Sequence, residues 1–354
     1  MNNDLAQELQ ARVKEAITKK HTLAIIGGNS KNFLQTAKAN ASLQLNGHKG
    51  IIDYQPSELF ITARAGTPLN EIETLLTEHK QMLASEPPHF SKGDNLATFG
   101  GTLACGYSGS RRPFAGSLRD HALGARILNG EGELLTFGGQ VMKNVAGFDI
   151  SRLMVGARGT LGVLLDVTLK VMPKPEAEIT LSFECSLLNA LKRMPDFAHH
   201  SLPLSAMAWL DGAVFLRLQG TEMSIINGHK KIGGEIIPNS TDFWQTLREH
   251  THPFFQTQKP LWRLSLPPAT NLDIPEKEVF VDWCGGLRWW HSEKPAEEIQ
   301  NIANKHGGYA YLFRDIEPVI GPIPATALLI IHQRLKKAFD PHGIFNPGLM
   351  GVSV

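Results

Sequence analysis

Three glycine-rich segments in the first half of the chain constrain its fold and chemistry more than any other feature. The first, Gly27–Lys31, directly follows the short apolar run Leu23–Ile26, which we predict to be a strand. Glycines after a strand allow successive backbone N–H groups to point into one concavity, and Ser30 and Lys31 add a hydroxyl group and a positive charge. This segment is therefore a candidate pyrophosphate-binding loop, and the alternative is a plain tight turn.

The second and third segments also combine glycine with small side chains. The second is Thr98–Thr102, continued by Ser108–Arg112, where paired glycines and hydroxyl groups allow a flat aromatic ring system to lie against the backbone. We predict irregular chain from Pro87 to Gly116, and such long irregular segments are usually functional. The third segment, Gly156–Gly162, leads into a predicted apolar strand, Val163–Val171. Glycine there permits close approach of a ligand or of another element, so a structural turn is the alternative.

Several classes of site and partner do not fit the pattern. No strand is followed by G-x-G-x-x-G, and G-x-x-x-x-G-K-[ST] is absent, which argues against a Rossmann NAD domain and a P-loop. Gly106–Ser110 lacks the final glycine of a G-x-S-x-G nucleophile elbow, so a serine hydrolase is disfavoured. With 35 Lys and Arg against 34 Asp and Glu, the chain has no broad basic field for nucleic acid.

The cysteines and the apolar runs indicate the cellular compartment in which the protein is expected. Cys105, Cys185 and Cys284 lie far apart and form no C-x-x-C pair, which suits a reducing compartment and argues against an iron–sulfur or zinc site made by this chain alone. Residues 1–20 carry acidic side chains and lack the apolar region of a signal peptide. No uninterrupted run of about 18 apolar residues is present. We therefore expect no transmembrane segment and a cytoplasmic location.

The order of elements predicts two α+β domains, since 354 residues exceed one ordinary core. The clearest boundary is Met172–Pro175, where two prolines end a strand, so we place the domains at residues 1–175 and 176–354. In the second domain, strand 179–183, helix 187–197, strands 206–210 and 214–218 and helix 222–232 predict a ferredoxin-like, split-βαβ sandwich. A helix over 325–339 and a turn-rich tail follow.

Together, and in this order, the glycine-rich segments resemble the FAD-binding domain of the vanillyl-alcohol oxidase family, also called the PCMH-type FAD domain. The resemblance is carried by Ile26–Lys31, Phe99–Ala104, Asn144–Leu153, Gly159–Gly162 and the closing run Phe339–Gly348. Within that family, Glu86–Phe90 and Phe137–Gly147 look like the FAD-binding subunits of glycolate oxidases. The similarity is strong from Leu23 to Pro175 and returns at Gly307–Ala310 and in the last helix.

The resemblance implies FAD as the cofactor. The implied FAD-binding residues are Ile26, Gly27, Gly28, Asn29, Ser30, Lys31, Pro87, Thr98, Gly100, Gly101, Thr102, Ser108, Gly109, Gly159, Thr160, Gly162 and Val163. Asn29 occupies the position at which covalent flavoproteins of the family carry histidine, so we expect FAD to be held non-covalently. Arg158 stands where many relatives have glutamate.

The resemblance also implies oxidation of glycolate, or of D-lactate, by a complex that contains a catalytic FAD-linked subunit and an iron–sulfur subunit. Such a complex would bring this chain to the inner membrane only peripherally. Related dehydrogenases use C-terminal histidines, in patterns such as Glu-His-Gly, to bind a metal and the substrate. The nearest run here is Lys305–Gly308, and no second histidine pattern precedes it.

We therefore assign no catalytic residue, general base or metal ligand. His306 is the single candidate for a catalytic residue. It is a weak one, because one unpaired histidine cannot both hold the substrate carboxylate and remove the hydroxyl proton. We expect this chain alone not to oxidise glycolate. A self-sufficient FAD-dependent oxidase and a flavin-free assembly module remain as alternatives.

Overall fold

The chain folds into two compact units in the computed structural model, which describes residues 3–34, 38–139, 149–199, 201–315 and 326–349. Unit 1 comprises Met1–Tyr107, Ser117–Lys174 and Ile323–Val354, and unit 2 comprises Ser108–Gly116 and Pro175–Pro322. The expected border after residue 175 lies next to the junction at Lys174. Two segments depart from the expected division, because residues 108–116 belong to unit 2 and the C-terminal segment belongs to unit 1.

The α-helices of the described residues are distributed over both units. They are α1 (Ala6–Lys19), α2 (Leu69–Glu78), α3 (Phe99–Cys105), α4 (Arg112–Ala115), α5 (Ile150–Leu153), α6 (Leu187–His199), α7 (Glu222–Ile232), α8 (Ser240–Arg248), α9 (Ala296–Lys305) and α10 (Thr326–Phe339). None of the helices in these residues combines the length and the apolarity that a bilayer span requires. Residues 140–148, which carry part of the family resemblance, lie outside the described residues.

Unit 1 is built on a five-stranded antiparallel sheet and a parallel strand pair. Its strands are β1 (Leu23–Ile26), β2 (Ala41–Gln44), β3 (Ile51–Gln55), β4 (Phe60–Arg64), β5 (Gln81–Met82), β6 (Ala122–Leu128), β7 (Leu134–Gly138), β8 (Val163–Lys170) and β9 (Met172–Pro173). The five-stranded sheet has the order β3-β4-β8-β6-β7, while β1 pairs with β2 and β5 with β9.

Strand β8 is buried along nearly its whole length, Asp166 and Thr168 included, because both of its faces are covered. Leu164 and Leu169 pack in the cluster that also contains Leu69 of α2 and Phe99 of α3. Val163 and Leu165 pack in a second cluster with α1 and β1. The sheet therefore lies between two apolar layers.

Unit 2 contains one eight-stranded sheet. Its strands are β10 (Ala177–Glu184), β11 (Leu204–Leu210), β12 (Ala213–Gly220), β13 (Glu235–Ile236), β14 (Leu261–Ser265), β15 (Val279–Asp282), β16 (Leu287–His291) and β17 (Tyr309–Arg314). The order is β13-β10-β12-β11-β15-β16-β14-β17. The first four strands, with α6 and α7 between them, form the expected split-βαβ arrangement, which is thereby confirmed. The other four strands extend that sheet beyond β11.

Candidate functional site

A cavity in unit 1 brings parts of all three glycine-rich segments together. It encloses about 1000 Å³ of space outside the protein atoms, open solvent at its mouth included. Its walls are formed by Ala24, Ile25, Ile26, Gly27, Gly28, Asn29, Ser30, Lys31, Asn32, Leu34, Leu45, Ala65, Thr98, Gly100, Gly101, Ala104, Cys105, Arg158, Gly159, Gly162, Leu164, Asn346 and Leu349. Segments that are separated by more than a hundred residues in sequence therefore share one concave surface.

The first segment forms the loop that follows β1, and all of its residues line the cavity. Asn29 has a left-handed backbone (φ 60°), which turns the chain sharply after the two glycines. Lys31 Nζ donates hydrogen bonds to Ser30 Oγ at 3.3 Å and to the His89 carbonyl oxygen at 3.2 Å. These contacts place a positive charge and a hydroxyl group side by side at the loop.

The two glycines of this loop are required by close contacts, that of Gly28 with the Leu96 backbone and that of Gly27 with the Thr98 side chain. A Cβ atom on Gly28 would lie 1.8 Å from the Leu96 carbonyl oxygen, and one on Gly27 would lie 2.7 Å from Thr98 Oγ1. Real Cβ atoms do not approach other atoms so closely, so a side chain at either position would push the first segment away from the second. The glycines therefore allow two walls of the cavity to meet.

The second segment is helical from Phe99 to Cys105, and Arg112–Ala115 forms the short α4, which corrects the prediction of irregular chain from Pro87 to Gly116 over these two stretches. Helix α3 begins after Thr98, whose Oγ1 accepts a hydrogen bond from the Gly101 N–H at 3.2 Å. Gly100 packs against strand β4's end, where its Cβ would lie 2.4 Å from Ala65 Cβ. A helical cap and a close packing contact thus outweigh the low helix propensity of paired glycines.

Cys105 ends this helix in the wall of the cavity. Burial raises the pKa of its thiol, while the charges of Lys31 and Arg158 act in the opposite direction. The thiol therefore stays protonated near neutral pH and is a poor nucleophile. Lys31 and Arg158 line the same cavity as Cys105.

The third segment meets the C-terminal run in the wall of the cavity. Arg158 and Gly159 have left-handed backbones, with φ of 52° and 69°. Asn346 joins this turn to β1, since its Nδ2 donates to the Arg158 carbonyl oxygen at 2.7 Å and its Oδ1 accepts from the Ile25 N–H at 2.7 Å. A Cβ on Gly159 would lie 2.8 Å from Asn346 Nδ2, so glycine leaves room for this amide.

A buried ion pair holds the C-terminal run against unit 1 and explains why that segment departs from the expected domain division. Lys336 Nζ donates to Asp340 Oδ2 at 2.6 Å, to the Thr160 carbonyl oxygen at 2.7 Å and to the Phe345 carbonyl oxygen at 2.8 Å. Leu23 of β1 forms a parallel bridge with Phe345. The residues that support Asn346 are therefore tied to both the third segment and β1.

Not every predicted FAD-binding residue lies in the cavity wall. Thr160 donates its hydroxyl to the Ala157 carbonyl oxygen at 2.6 Å, and Val163 is packed in the core with α1. Pro87 and Thr102 are buried but do not line the cavity. Ser108 and Gly109 belong to unit 2. The remaining predicted residues line the cavity: Ile26, Gly27, Gly28, Asn29, Ser30, Lys31, Thr98, Gly100, Gly101, Gly159 and Gly162.

The histidine candidate lies elsewhere. His306 is an exposed residue at the C-terminal end of α9 in unit 2, and its backbone N–H donates to the Ala303 carbonyl oxygen at 3.1 Å. This is the environment of a helix-terminating residue. No group of three or more His, Cys, Asp or Glu side chains suited to a metal ion occurs among the residues that the structure describes.

The lining matches the chemistry of FAD. A diphosphate needs backbone N–H groups, hydroxyl groups and cations, which the first segment, Ser30, Lys31 and Arg158 supply. Flat, uncharged rings need small or apolar walls, which Gly100, Gly101 and the aliphatic side chains supply. The contribution of Asn346 was not predicted, and its sequence signal is the Asn-Pro-Gly turn in the closing run.

Comparison with known proteins agrees with this chemistry. The sequence profile of the FAD binding domain matches residues 4–138. Glycolate oxidase subunit GlcE of Escherichia coli (strain K12) is 44% identical over 348 residues, which cover 98% of this chain and 97% of that protein. D-lactate dehydrogenase of Anaerostipes hadrus is 26% identical over 193 residues, 54% of this chain and 38% of that protein.

A solved structure of alkyldihydroxyacetonephosphate synthase shares the fold, with a TM-score of 0.67 and 15% identity over 98% of this chain and 76% of that one. The matches confirm the predicted family, the α+β fold with a PCMH-type FAD domain, and FAD as the cofactor. The chain therefore belongs to the family of glycolate oxidase subunit GlcE, and its residues 4–138 carry an FAD binding domain.

Proposed function

We propose that this chain is the FAD-binding subunit of a complex that oxidises glycolate to glyoxylate. The observation that carries the proposal is the cavity of unit 1, whose glycine-rich walls and cations suit FAD, in a chain that is 44% identical to a glycolate oxidase subunit over nearly its whole length. When bound, FAD supplies the acceptor for the hydride that leaves the carbon bearing the hydroxyl group. The chain's own residues position the cofactor and exclude water.

In this proposal Lys31, Ser30 and the backbone of the first segment hold the diphosphate, together with Arg158. Gly100 and Gly101 allow the ring systems to lie against backbone. FAD is held non-covalently, because Asn29 offers no nucleophile for a covalent bond to the flavin. Asn346 fixes the distance between the Arg158 turn and β1, and so the width of the cavity.

Replacing Lys31 by methionine is expected to lower the affinity for FAD about 10-fold, because a charge-assisted contact to the diphosphate is lost. The stem of methionine keeps most of the apolar contact of the lysine stem. Equilibrium titration of the apoprotein with FAD, followed by flavin fluorescence, measures this effect. Lys38→Met, at an exposed lysine nearby in sequence, is the matched control and should bind FAD as the unaltered chain does.

The proposed complex supplies what this chain lacks. A 2-hydroxy acid needs a base for its hydroxyl proton while hydride leaves, and exposed His306 has no second histidine pattern beside it in the sequence. A four-cysteine iron–sulfur cluster cannot be built from the three cysteines of this chain. In the proposed complex the electrons therefore pass to a cluster that a partner subunit binds. We place the complex in the cytoplasm, with membrane contact only through its other subunits.

The decisive experiment is anaerobic mixing of the FAD-loaded chain with glycolate, and then with D-lactate, while flavin absorbance is recorded. We expect no bleaching by the chain alone and bleaching after the catalytic flavoprotein subunit is added. Acid precipitation of the loaded chain should release all FAD into the supernatant. Rapid bleaching without the partner, abolished by His306→Ala, would instead identify a self-sufficient enzyme. A chain that never takes up FAD would be an assembly module.

A further inference from the structure

A short segment of unit 1, residues 86–90, connects helix α2 to the first glycine-rich segment, and we call it the strap. Its side-chain contact with the helix is made by His89, whose Nε2 lies 2.9 Å from Glu73 Oε2 on α2. Its backbone contact is made by the same residue, because the His89 carbonyl oxygen accepts a hydrogen bond from Lys31 Nζ at 3.2 Å. One residue of the strap therefore links α2 to a lysine that lines the cavity.

The backbone of the strap has an unfavourable conformation at both ends. Glu86 and Phe90, its first and last residues, have left-handed backbones with φ of 45° and 50°, although neither is glycine. Pro87 and Pro88 lie between them and are buried. Such conformations persist only where surrounding contacts enforce them, and they concentrate at segments that clamp ligands. The shape of the strap therefore depends on the contacts that it makes with its neighbours.

Aromatic rings hold the end of the strap beside the first segment. The Phe90 ring meets the Phe33 ring edge to face, with 5.5 Å between the two centroids. Lys31 Nζ lies 5.8 Å from the centroid of the Phe90 ring, which is within the range of a cation–π contact. Together with the His89 carbonyl oxygen and Ser30 Oγ, this ring restricts the positions that the Lys31 ammonium can take.

The contact between Glu73 and His89 is a charge-assisted hydrogen bond. A carboxylate only accepts hydrogen bonds, so His89 Nε2 carries the proton that it donates to Glu73. The two side chains are 30% and 17% exposed, respectively, so solvent screens this contact less than it screens a surface ion pair. Hydrogen bonds of this kind are stronger than neutral ones. Glu73 therefore anchors the strap to α2.

We infer that Glu73 is a positioning residue for the cofactor: it holds the strap through His89, and the strap aims the Lys31 ammonium at the diphosphate of FAD. That Lys31 meets the diphosphate rests on the proposed function. A lysine side chain is long and flexible, so restricting its ammonium before FAD arrives lowers the entropy that is lost on binding. Glu73 itself does not line the cavity, so its effect on FAD is transmitted by the strap.

The sign of the effect on FAD affinity separates positioning from direct electrostatics. Repulsion between Glu73 and the diphosphate would by itself make FAD bind more tightly once the carboxylate is removed. Positioning predicts the opposite result. We expect Glu73→Ala to weaken FAD binding about 5-fold, and Glu73→Gln, whose amide oxygen can still accept from His89 Nε2, to weaken it only about 2-fold. Titration of the full-length apoprotein with FAD, followed by flavin fluorescence, measures both affinities.

A double-mutant cycle with Lys31→Met tests whether Glu73 acts through Lys31. If it does, Glu73→Ala has no further effect on FAD affinity in a chain that already lacks the ammonium. A purely structural role for Glu73 would instead lower the affinity by the same factor with and without Lys31. Circular dichroism and thermal unfolding check that each variant folds. Glu73→Gln keeps the size and shape of the side chain, so the cycle can also be completed with that variant.

Glu78→Ala is the matched control, because Glu78 is an exposed carboxylate on the same helix. Its FAD affinity should equal that of the unaltered chain. Unchanged or tighter FAD binding in Glu73→Ala, an equal loss in Glu78→Ala, or an equal loss in the Lys31→Met background would each overturn the inference. Flavin reduction by glycolate in the complex tests the proposed function separately, so either can fail without the other.

Discussion

Replacing Asp340 by asparagine is expected to lower the free energy of unfolding of unit 1 by about 3–5 kcal/mol and to abolish stable FAD binding. Asp340 is fully buried, and its carboxylate accepts hydrogen bonds from Lys336 Nζ and from the N–H groups of Ile344 (3.0 Å) and Phe345 (2.8 Å). Asparagine removes the charge and replaces one acceptor by a donor. The buried ammonium of Lys336 then loses its counter-charge, and the run that carries Asn346 loses its anchor.

The pKa of Lys336 makes the direction of this effect clear. Burial lowers the pKa of Lys336, whereas electrostatic attraction and hydrogen bonding to Asp340 raise it. Without that carboxylate the desolvation of the ammonium is uncompensated, so the folded state is penalised. Urea unfolding followed by FAD release measures the loss specifically in unit 1, because the two units need not unfold together.

An exposed ion pair provides the matched control for Asp340→Asn. Lys19 and Glu15 are also spaced four residues apart on a helix of unit 1, with 2.6 Å between Nζ and Oε1. Solvent screens this pair, so Glu15→Gln should leave the unfolding midpoint and the affinity for FAD unchanged. If Asp340→Asn behaved like Glu15→Gln, the buried pair would not stabilise the cavity.

A single methyl group on Gly28 is expected to lower the affinity for FAD by about 10-fold or more and to destabilise unit 1 by about 1–3 kcal/mol. The new Cβ would lie 1.8 Å from the Leu96 carbonyl oxygen, and backbone cannot move aside as a flexible side chain can. The first segment must therefore shift away from the second, which widens the cavity between Gly28 and Thr98. FAD titration and thermal unfolding of Gly28→Ala measure the two effects.

Gly47→Ala separates the effect of position from the effect of removing a glycine. Gly47 is in the same unit, and its Cβ would meet only the tip of the Leu5 side chain, at 3.1 Å. We expect FAD affinity close to that of the unaltered chain. Unchanged FAD affinity in Gly28→Ala would mean that the contact with Leu96 does not set the width of the cavity.

The part of the site that follows directly on a strand was predictable from sequence. Ile26–Lys31 lines the cavity throughout, because an apolar strand that ends in two glycines and a polar turn is a local pattern. The split-βαβ order of unit 2 was also predictable, since its helices and strands are regular and separated by clear turns. In both cases neighbouring residues in sequence determine the structure.

The remainder depends on contacts between distant residues. The hydrogen bond between Asn346 and Ile25 joins positions 321 residues apart, and no local sequence pattern predicts it. Helix α3 was missed because glycine is a poor helix former, whereas the packing of Gly100 on Ala65 makes glycine necessary there. Strands β15 and β16 were missed because they are buried throughout and therefore lack the alternation of a half-exposed strand.

The pairing of Phe345 with Leu23 has a consequence for the biosynthesis of the protein. The ribosome releases β1 early, but the residues that complete its wall of the cavity emerge only after the whole of unit 2. Unit 1 therefore cannot finish folding while it is being translated, and closing so long a loop is slow. Flavin incorporation should follow emergence of the segment that carries Phe345, so that chains truncated before this segment do not retain the cofactor.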